Sequence, residues 1–431
     1  MAEVDPSEVA LLRLVAQRLA GPGEPDAAAA VRWLLAAQAQ DLRGALLSTA
    51  LRSPADGASS EAPDDPAAAR PASGPAGARL AGARLAGARL AGARLDGARS
   101  APDLGGVRAA LASGALVRSW PLRSTLHLVA AEDLGWLLAL STERQLRGAA
   151  SRRAGLGIDD ALVERARGVV VDALAGGRRL AREEVLALWE EAGVLGDGPD
   201  GGTGGGTSSG TGRVPQRGYH LLWTLSQTGT TCWGPPLPDR AGAGTSDEQA
   251  LVLLDEWVPA PRRLEREEAL GELARRYLAS HGPASLADLV RWSGLTVREA
   301  RAGLALARPH LEALVCDGTE MLLDPATPER LARCRDDARR TLLLPGFDEM
   351  VLGYADRSAT VPAEHAAAVV PGGNGVFLGT VVTGGRAVAT WRRTGRRTGP
   401  PVVATPFDGG DDGLAPAVAA EVARLGAALP A

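Results

Sequence analysis

Lysine is absent from this sequence, because every one of its 47 basic residues is arginine. A chain without lysine cannot form a Schiff base through a side-chain amine, which excludes the enzyme classes that use a lysine nucleophile. A GC-rich genome produces the same arginine bias without any functional reason. The absence therefore restricts the chemistry but does not identify it.

Cysteine and histidine are scarce. The three cysteines, Cys232, Cys316 and Cys334, are far apart and odd in number, which offers neither a disulfide framework nor a CxxC metal site. The five histidines have no HxH or HxxxH spacing, so we expect no metal and no cofactor. We also find no signal peptide and no uncharged apolar run of about 18 residues. The expected location is the cytoplasm, without a membrane partner.

The common catalytic motifs are missing as well. The sequence contains no nucleophile elbow, phosphate loop, dinucleotide fingerprint or kinase motif set, which removes most common enzyme classes. The net charge of −4 argues mildly against a nucleic-acid partner, although clustering of arginines matters more than their sum. A length of 431 residues allows two to four compact units, at roughly 100–200 residues per domain.

Hydrophobic spacing predicts helices that are repeatedly followed by a small β element. In the N-terminal part, helices at 5–20, 26–37 and 42–52 and a further short helix precede two strand-like runs, "ALVRSW" and "RSTLHLV", the outline of a winged helix. The predicted units are 1–160, 161–264, 265–340 with a helix-turn-helix, and a β-rich C-terminal region at 341–431. A glycine-rich loop at 196–213 interrupts the second unit.

A low-complexity insertion at 54–102 interrupts the first unit. It ends in "GARLAGARLAGARLAGARLDGAR", whose period of five matches neither a helix nor a strand. We interpret it as a flexible insertion. A basic arm that follows DNA phosphates is the alternative, since arginine recurs through the repeats.

The clearest local signals lie in the last two units. Ser285 and Thr296 are predicted to cap two helices that are joined by the turn "SGL", which is a helix-turn-helix signature. Many proteins use such a turn only to pack helices. Further on, the "GG" at 384–385 lies between two alternating runs and predicts a β-hairpin.

The stretch "LLAAQAQDLRG" contains two glutamines, Gln38 and Gln40, in an apolar context. Residues two apart cannot share one face of a helix, so the pair is expected at a junction, with Asp41 capping the next helix. Buried amides need hydrogen-bond partners, so capping is one interpretation. The other is that both amides orient a water molecule or a leaving group. The residues alone leave the two interpretations open.

Two further candidates carry alternatives of their own. Asp348 and Glu349 are possible general bases, but adjacent side chains on a strand point to opposite faces, so structural capping is preferred. His127 could be a buried, hydrogen-bonded histidine, or it could face a ligand.

Six sequence blocks in order resemble one known family. They are "LLAAQAQD", "RSWPLRSTLHLVAAEDLGWLL", "VLLDEWVPAPR", "HGPASLADLVRWSGL", "LLPGFDEMVLGYADRSA" and "VVPGGNGVFLGTVV". Together they resemble the winged-helix DNA glycosylases of the AlkZ-like group. The resemblance covers nearly the whole chain apart from the two low-complexity segments.

The resemblance implies both a fold and an activity. The fold class is α+β and mainly helical, with tandem winged helix-turn-helix units and a C-terminal β-rich region that form a concave DNA-binding surface. The activity is monofunctional removal of N7-alkylated purines, including interstrand crosslinks, from double-stranded DNA by a monomer. In that family a glutamine, an apolar residue, then a glutamine or aspartate is catalytic, and Gln38, Ala39 and Gln40 match this motif. A bulky crosslink cannot be flipped into a snug pocket, so an open groove is expected.

Arginines and polar residues near the predicted hairpins and the helix-turn-helix are the expected DNA contacts. They are Arg123, Thr125, His127, Arg298, Arg301, Arg386, Arg392 and Arg393. The alternative function is a non-catalytic winged-helix DNA-binding protein, a regulator or scaffold in which the two glutamines only cap helices. The observation that discriminates between the two is whether both amides point into one solvent-accessible groove flanked by Arg123, His127 and the arginines of the C-terminal hairpin.

Overall fold

The computed structural model describes residues 2–54, 99–196, 213–238, 245–373, 375–394, 400–408 and 413–429. The "GARLA" repeats lie outside these residues, and so does most of the glycine-rich loop. The two interpretations of the repeats therefore stay predictions. The described chain is α+β and mainly helical, with several separate sheets. None of its described helices has both the length and the apolar character needed to cross a membrane.

Aspartates begin most helices of the N-terminal part. Asp5, Asp26, Asp41 and Asp103 each accept a hydrogen bond from a first-turn N–H, as expected for N-caps. The elements in chain order are β1 (Ala2–Glu3), α1 (Pro6–Ala16), α2 (Ala27–Leu34), β2 (Ala37–Gln38), α3 (Leu42–Ala50), α4 (Leu104–Ala112), β3 (Leu116–Leu122), β4 (Thr125–Ala130) and α5 (Leu134–Gly148). The predicted capping of the third helix by Asp41 is confirmed.

The second part continues the sheet of the first. Its elements are α6 (Ala150–Gly155), α7 (Asp160–Leu174), α8 (Arg182–Glu191), α9 (Arg213–Gln227), β5 (Thr231–Pro238), β6 (Thr245–Leu253) and α10 (Leu254–Trp257). Strand β5 pairs with β3, which gives a five-stranded sheet of order β2-β4-β3-β5-β6. The short strand β2 therefore lies at an edge of a sheet to which both N-terminal units contribute.

The third part contains the predicted helix-turn-helix, followed by a hairpin. Its elements are α11 (Arg266–His281), α12 (Leu286–Ser293), α13 (Val297–Ala307), β7 (Glu312–Cys316) and β8 (Thr319–Leu323). Ser285 and Thr296 form capping boxes with Asp288 and Glu299, and Gly294 ends α12 with a φ of 69°. Local sequence therefore predicted these helix starts correctly. Strand β1 pairs with β7 in parallel.

The C-terminal part contains a four-stranded sheet of order β12-β11-β10-β9. Its elements are α14 (Thr327–Ala338), β9 (Thr341–Leu344), α15 (Glu349–Leu352), α16 (Ala366–Val369), β10 (Gly379–Thr383), β11 (Arg386–Arg393), β12 (Val402–Pro406) and α17 (Leu414–Leu425). The predicted hairpin between β10 and β11 is confirmed. The interpretation of Asp348 and Glu349 as adjacent strand residues is wrong, because Asp348 caps the short helix α15 and Glu349 begins it.

One hydrophobic core joins the two ends of the chain. Leu14 and Val15 of α1 belong to the same buried cluster as Leu343 of β9, Val381 of β10 and Trp391 of β11. This packing fixes the C-terminal sheet against the N-terminal helices. It also brings the segment after β9 to the segment that contains the two glutamines.

Candidate active site

Gln38 and Gln40 lie on an extended segment that begins in β2. Gln38 pairs with His127 of β4, and the Ala39 N–H donates to the Leu126 carbonyl oxygen across 2.7 Å. Residues two apart along an extended strand point to the same face. The spacing that is wrong for a helix therefore places both amides on one side, while Ala39 is buried in the core.

The two amides are hydrogen-bonded to each other. Gln38 Nε2 donates to Gln40 Oε1 across 2.8 Å, and Thr125 Oγ1 donates to Gln38 Oε1 across 3.3 Å. Gln38 is 4 % exposed, whereas Gln40 is exposed. Although Gln38 is buried, its amide group therefore has polar partners. The pair forms a continuous polar connection from the interior to the surface.

Arg118 of β3 holds the backbone of this segment. Its Nε donates to the Ala39 carbonyl oxygen across 2.8 Å, and its Nη2 lies 3.5 Å from the Gln40 carbonyl oxygen. Another guanidinium nitrogen donates to Gln249 Oε1 across 3.3 Å. Burial lowers the pKa of Arg118 to about 10, so the guanidinium stays protonated at neutral pH.

Glu349 contacts the same segment from another direction. Its Oε1 accepts the Gln38 backbone N–H across 2.9 Å, and its Oε2 accepts the Trp292 indole N–H across 3.0 Å. The side chain is fully buried. Burial acts to raise the pKa of Glu349, but the contact with His281 and the positive charge of Arg123 outweigh it and lower this pKa to about 2. The carboxylate is therefore ionised at neutral pH.

The neighbouring segment explains how Glu349 reaches this position. Asp348 accepts two hydrogen bonds from the buried Arg52 guanidinium, each 2.9 Å long, and a third from Ser48 Oγ across 2.7 Å. It also caps α15 by accepting the Met350 N–H. The interpretation of Asp348 as a structural cap is thus confirmed. This ion pair anchors the start of α15 against α3.

His127 is buried, which decides between its two interpretations. Its Nδ1 lies 2.8 Å from the Thr125 carbonyl oxygen and so donates to it, and the side chain has no exposed surface. Burial lowers the pKa of His127 to about 4, and it lowers the pKa of His281 as well. Both imidazoles are therefore neutral at neutral pH. His127 was also expected to contact DNA, and in this structure its side chain has no exposed surface.

Two other residues expected to contact DNA are engaged inside the protein. Arg123, in the turn between β3 and β4, donates to the carbonyl oxygens of Arg291 and Trp292. Thr125 donates to Gln38 Oε1. Arg123 therefore joins the β3–β4 turn to α12, and its expected contact with DNA stays a prediction.

The remaining expected contacts are spread over two surfaces. Arg298 and Arg301 are exposed on α13, and Arg392 is exposed on β11. Arg393 donates to the Leu429 carbonyl oxygen across 2.7 Å. Arg386 begins β11 next to the hairpin turn, about 20 Å from Arg392 at roughly 3.3 Å per residue. The structure therefore does not bring Arg386 to the end of the sheet from which α15 follows.

Sequence reasoning missed the charged residues that hold the glutamine segment. Arg118 was not singled out, and Glu349 was considered only as a base or a cap. Both contacts join residues far apart in the chain, by 79 and 311 positions. The one available signal was the pair of adjacent carboxylates, Asp348 and Glu349. The described residues contain no group of three or more side chains suited to hold a metal ion.

Known proteins match both the sequence and the fold. A family model described as "DNA glycosylase AlkZ-like" matches residues 89–428, a range that begins after Gln38 and Gln40. An interstrand DNA cross-link repair glycosylase of Streptomyces sahachiroi is 25% identical over 334 residues, which cover 72% of this chain and 78% of that protein. The solved structure of the S. sahachiroi DNA glycosylase AlkZ superposes with a TM-score of 0.69 at 21% identity, covering 100% of this chain and 97% of that one.

These matches define a DNA-repair enzyme that hydrolyses N-glycosyl bonds. The family match spans well over half of the chain. The chain belongs to the AlkZ-like family of DNA glycosylases.

Proposed function

We propose that this chain is a monofunctional glycosylase that removes N7-alkylated purines from duplex DNA, with Gln38 and Gln40 as its catalytic residues. The observation that carries the proposal is the hydrogen-bonded amide pair, which lies on one face of an extended segment and ends in the exposed Gln40. Interstrand crosslinks are included in the proposed substrates, because the Streptomyces relative is named for their repair.

The chemistry of the lesion explains why amides suffice. A purine alkylated at N7 is cationic, so its N-glycosidic bond breaks with a neutral leaving base and needs no general acid. The enzyme must then stabilise positive charge on the sugar and orient a water molecule. Fixed dipoles do this without reorganising during the reaction. Without lysine, the enzyme leaves an abasic site and does not cleave the strand through a side-chain Schiff base.

In this proposal the two glutamines have different roles, which their hydrogen bonds support. Gln38 uses Nε2 to hold Gln40 Oε1, and its own Oε1 accepts from Thr125. Gln40 keeps a second lone pair on Oε1 and both Nε2 hydrogens for groups that arrive from solvent. In this proposal Gln40 faces the sugar and the attacking water, while Gln38 fixes its direction.

DNA binding is proposed for the exposed arginines of α13 and β11. Arg298 and Arg301 lie on the second helix of the helix-turn-helix, the helix that enters the major groove in many DNA-binding proteins. Arg392 lies at the end of the C-terminal sheet from which α15 and Glu349 follow. We further propose that the three helix-and-hairpin units act as tandem winged helices around the duplex.

Base release from defined duplexes tests the proposal. Wild type should release N7-methylguanine, and the abasic sites are revealed by alkaline cleavage; a second duplex carries an N7-linked interstrand crosslink. Gln38→Ala and Gln40→Ala should each lose about 10²-fold or more in single-turnover rate, as for loss of one preorganised donor or acceptor. Gln216→Ala is the matched control: it also removes a glutamine side chain, but this glutamine of α9 accepts from Arg152 and does not contact the amide pair. A wild type that releases no base from either duplex would overturn the proposal.

A further inference from the structure

Glu349 is a buried anion next to the glutamine segment, and the proposed roles of Gln38 and Gln40 give it no function. It has no exposed surface, so it cannot itself touch DNA or the attacking water. A buried carboxylate costs several kcal/mol of desolvation unless good partners offset it. The partners of Glu349 are the Gln38 N–H, the Trp292 indole N–H and His281, whose Nε2 lies 3.4 Å from Oε2. A fully buried carboxylate that the protein keeps ionised next to the glutamine segment points to a role in function.

The geometry of β2 shows what this charge does locally. Strand β2 is only two residues long and lies at the edge of its sheet, with β4 on one side. An edge strand leaves backbone N–H groups without a partner strand. The Gln38 N–H donates to Glu349 Oε1 across 2.9 Å, so the carboxylate takes the place of that missing strand. Arg118 holds the following carbonyl of Ala39 from β3.

The second oxygen of Glu349 connects this contact to the helix-turn-helix. Oε2 accepts the indole N–H of Trp292, which is buried on α12. The carbonyl oxygen of Trp292 in turn accepts from Arg123, in the turn that leads into β4. One carboxylate thus bridges the glutamine segment and the first helix of the helix-turn-helix.

We propose that Glu349 is a positioning residue, which fixes the direction of the Gln38 and Gln40 amides. It accepts the Gln38 N–H with one oxygen and the Trp292 indole N–H with the other, and so holds the glutamine segment at a fixed position relative to α12. The inference rests on the proposed function of the two glutamines. It adds a prediction of its own: loss of Glu349, which does not touch DNA, should slow the chemical step and leave DNA affinity unchanged.

Three substitutions separate positioning from simple support of the fold. Glu349→Gln keeps the length and one acceptor oxygen, Glu349→Asp keeps the charge but is too short to reach both partners, and Glu349→Ala removes the acceptor. We expect Glu349→Gln to lose about tenfold in single-turnover rate, because an amide accepts only one of the two hydrogen bonds, and Glu349→Asp and Glu349→Ala to lose about 10²-fold, as for a displacement of about 1 Å. DNA affinity, measured by fluorescence anisotropy, should stay within about twofold.

Hydrogen–deuterium exchange gives a readout that needs no activity. The peptide that contains Gln38 should exchange about 10- to 100-fold faster at this amide in Glu349→Ala, because a hydrogen bond to a charged acceptor is lost. Glu421→Ala is the matched control, since Glu421 is a buried glutamate of α17 that pairs with Arg424. Its substitution should leave that peptide unchanged.

The outcomes separate the inference from the proposed function. If wild type releases no alkylated base, the proposed function fails, and the exchange experiment still tests the positioning. Unchanged exchange at Gln38 in Glu349→Ala would overturn the inference even with an active enzyme. If Glu349→Ala does not fold, Glu349→Gln decides: a rate and an exchange profile equal to wild type overturn the inference, while a rate at least about tenfold lower at equal DNA affinity supports it.

Discussion

Nε of Arg118 and the carbonyl oxygen of Ala39 lie 2.8 Å apart, in a hydrogen bond between β3 and the residue that separates the two glutamines. Glu349 accepts the N–H of the residue before it. A cation and an anion therefore hold consecutive residues of the same extended segment. The fixed backbone keeps the two amide side chains on one face of the segment.

The contact of Arg118 leads to the first prediction. Arg118→Met should lower the single-turnover rate of base release about 10- to 100-fold, which corresponds to loss of a hydrogen bond from a charged donor. Arg118→Lys keeps the positive charge but loses the several N–H donors of the planar guanidinium, so we expect a rate between those of wild type and Arg118→Met. Arg333→Met is the control, because Arg333 is an exposed arginine of α14 that pairs with Glu329. A higher dissociation constant for DNA with an unchanged rate would instead make Arg118 a phosphate contact.

Local features of the fold were predictable from the sequence. Asp41, Ser285 and Thr296 start the helices that they were expected to cap, because a capping side chain acts on N–H groups within three residues. The hairpin at 384–385 was predictable for the same reason, since two adjacent glycines adopt positive φ. These features depend only on neighbours in sequence.

The arrangement of the candidate site was not predictable in the same way. Strand β2 is two residues long, too short for an alternating pattern to reveal it. Its conformation depends on β4, Arg118 and Glu349, which lie far along the chain. The glutamines could thus be placed at a junction, but their shared face follows from long-range contacts. The burial of His127 has the same origin.

The exposed arginines of α13 give the second prediction. Arg298→Ala and Arg301→Ala should each weaken binding to undamaged duplex DNA and lower the slope of log affinity against log salt by about 0.9, the value for one phosphate contact. Single-turnover rates at saturating DNA should stay unchanged, because neither residue is near the amide pair in the proposal. Binding is measured by anisotropy at several salt concentrations, with Arg333→Ala as the control. Slopes equal to wild type would remove α13 from the DNA interface.

The buried state of His127 predicts a pH dependence of stability. Its pKa is lowered from 6.5 to about 4 by burial and by Arg123, while Glu349 of α15 opposes the shift. The unfolded chain therefore binds more protons than the folded chain between these values, so stability is full above pH 6.5 and falls as the pH drops. A shift of this size corresponds to about 3 kcal/mol of unfolding free energy by pH 4.

Urea unfolding between pH 7.5 and 4.5 measures this effect. His127→Asn retains a donor for the Thr125 carbonyl oxygen but does not titrate, so its stability should fall less over the same range. His220 and His281, whose pKa values are also lowered, remain in both proteins and contribute equally. The pKa of Glu349 falls from 4.5 in the unfolded chain to about 2 in the folded chain, so Glu349 lowers the free energy of unfolding only below about pH 4.5. Parallel curves for the two proteins would contradict the neutral, buried His127.

The hairpin between β10 and β11 provides a matched pair of glycines for the last prediction. Both have positive φ, 58° at Gly384 and 79° at Gly385. A Cβ on Gly384 would meet no atom within 4 Å, whereas one on Gly385 would lie 2.7 Å from the Ala10 carbonyl carbon. Gly384→Ala should therefore cost only the backbone penalty of about 1–2 kcal/mol. Gly385→Ala should cost about 1–3 kcal/mol more, because the backbone of α1 cannot yield as a side chain would. Urea unfolding of the two variants measures the difference, and equal losses would show that this turn does not pack against α1.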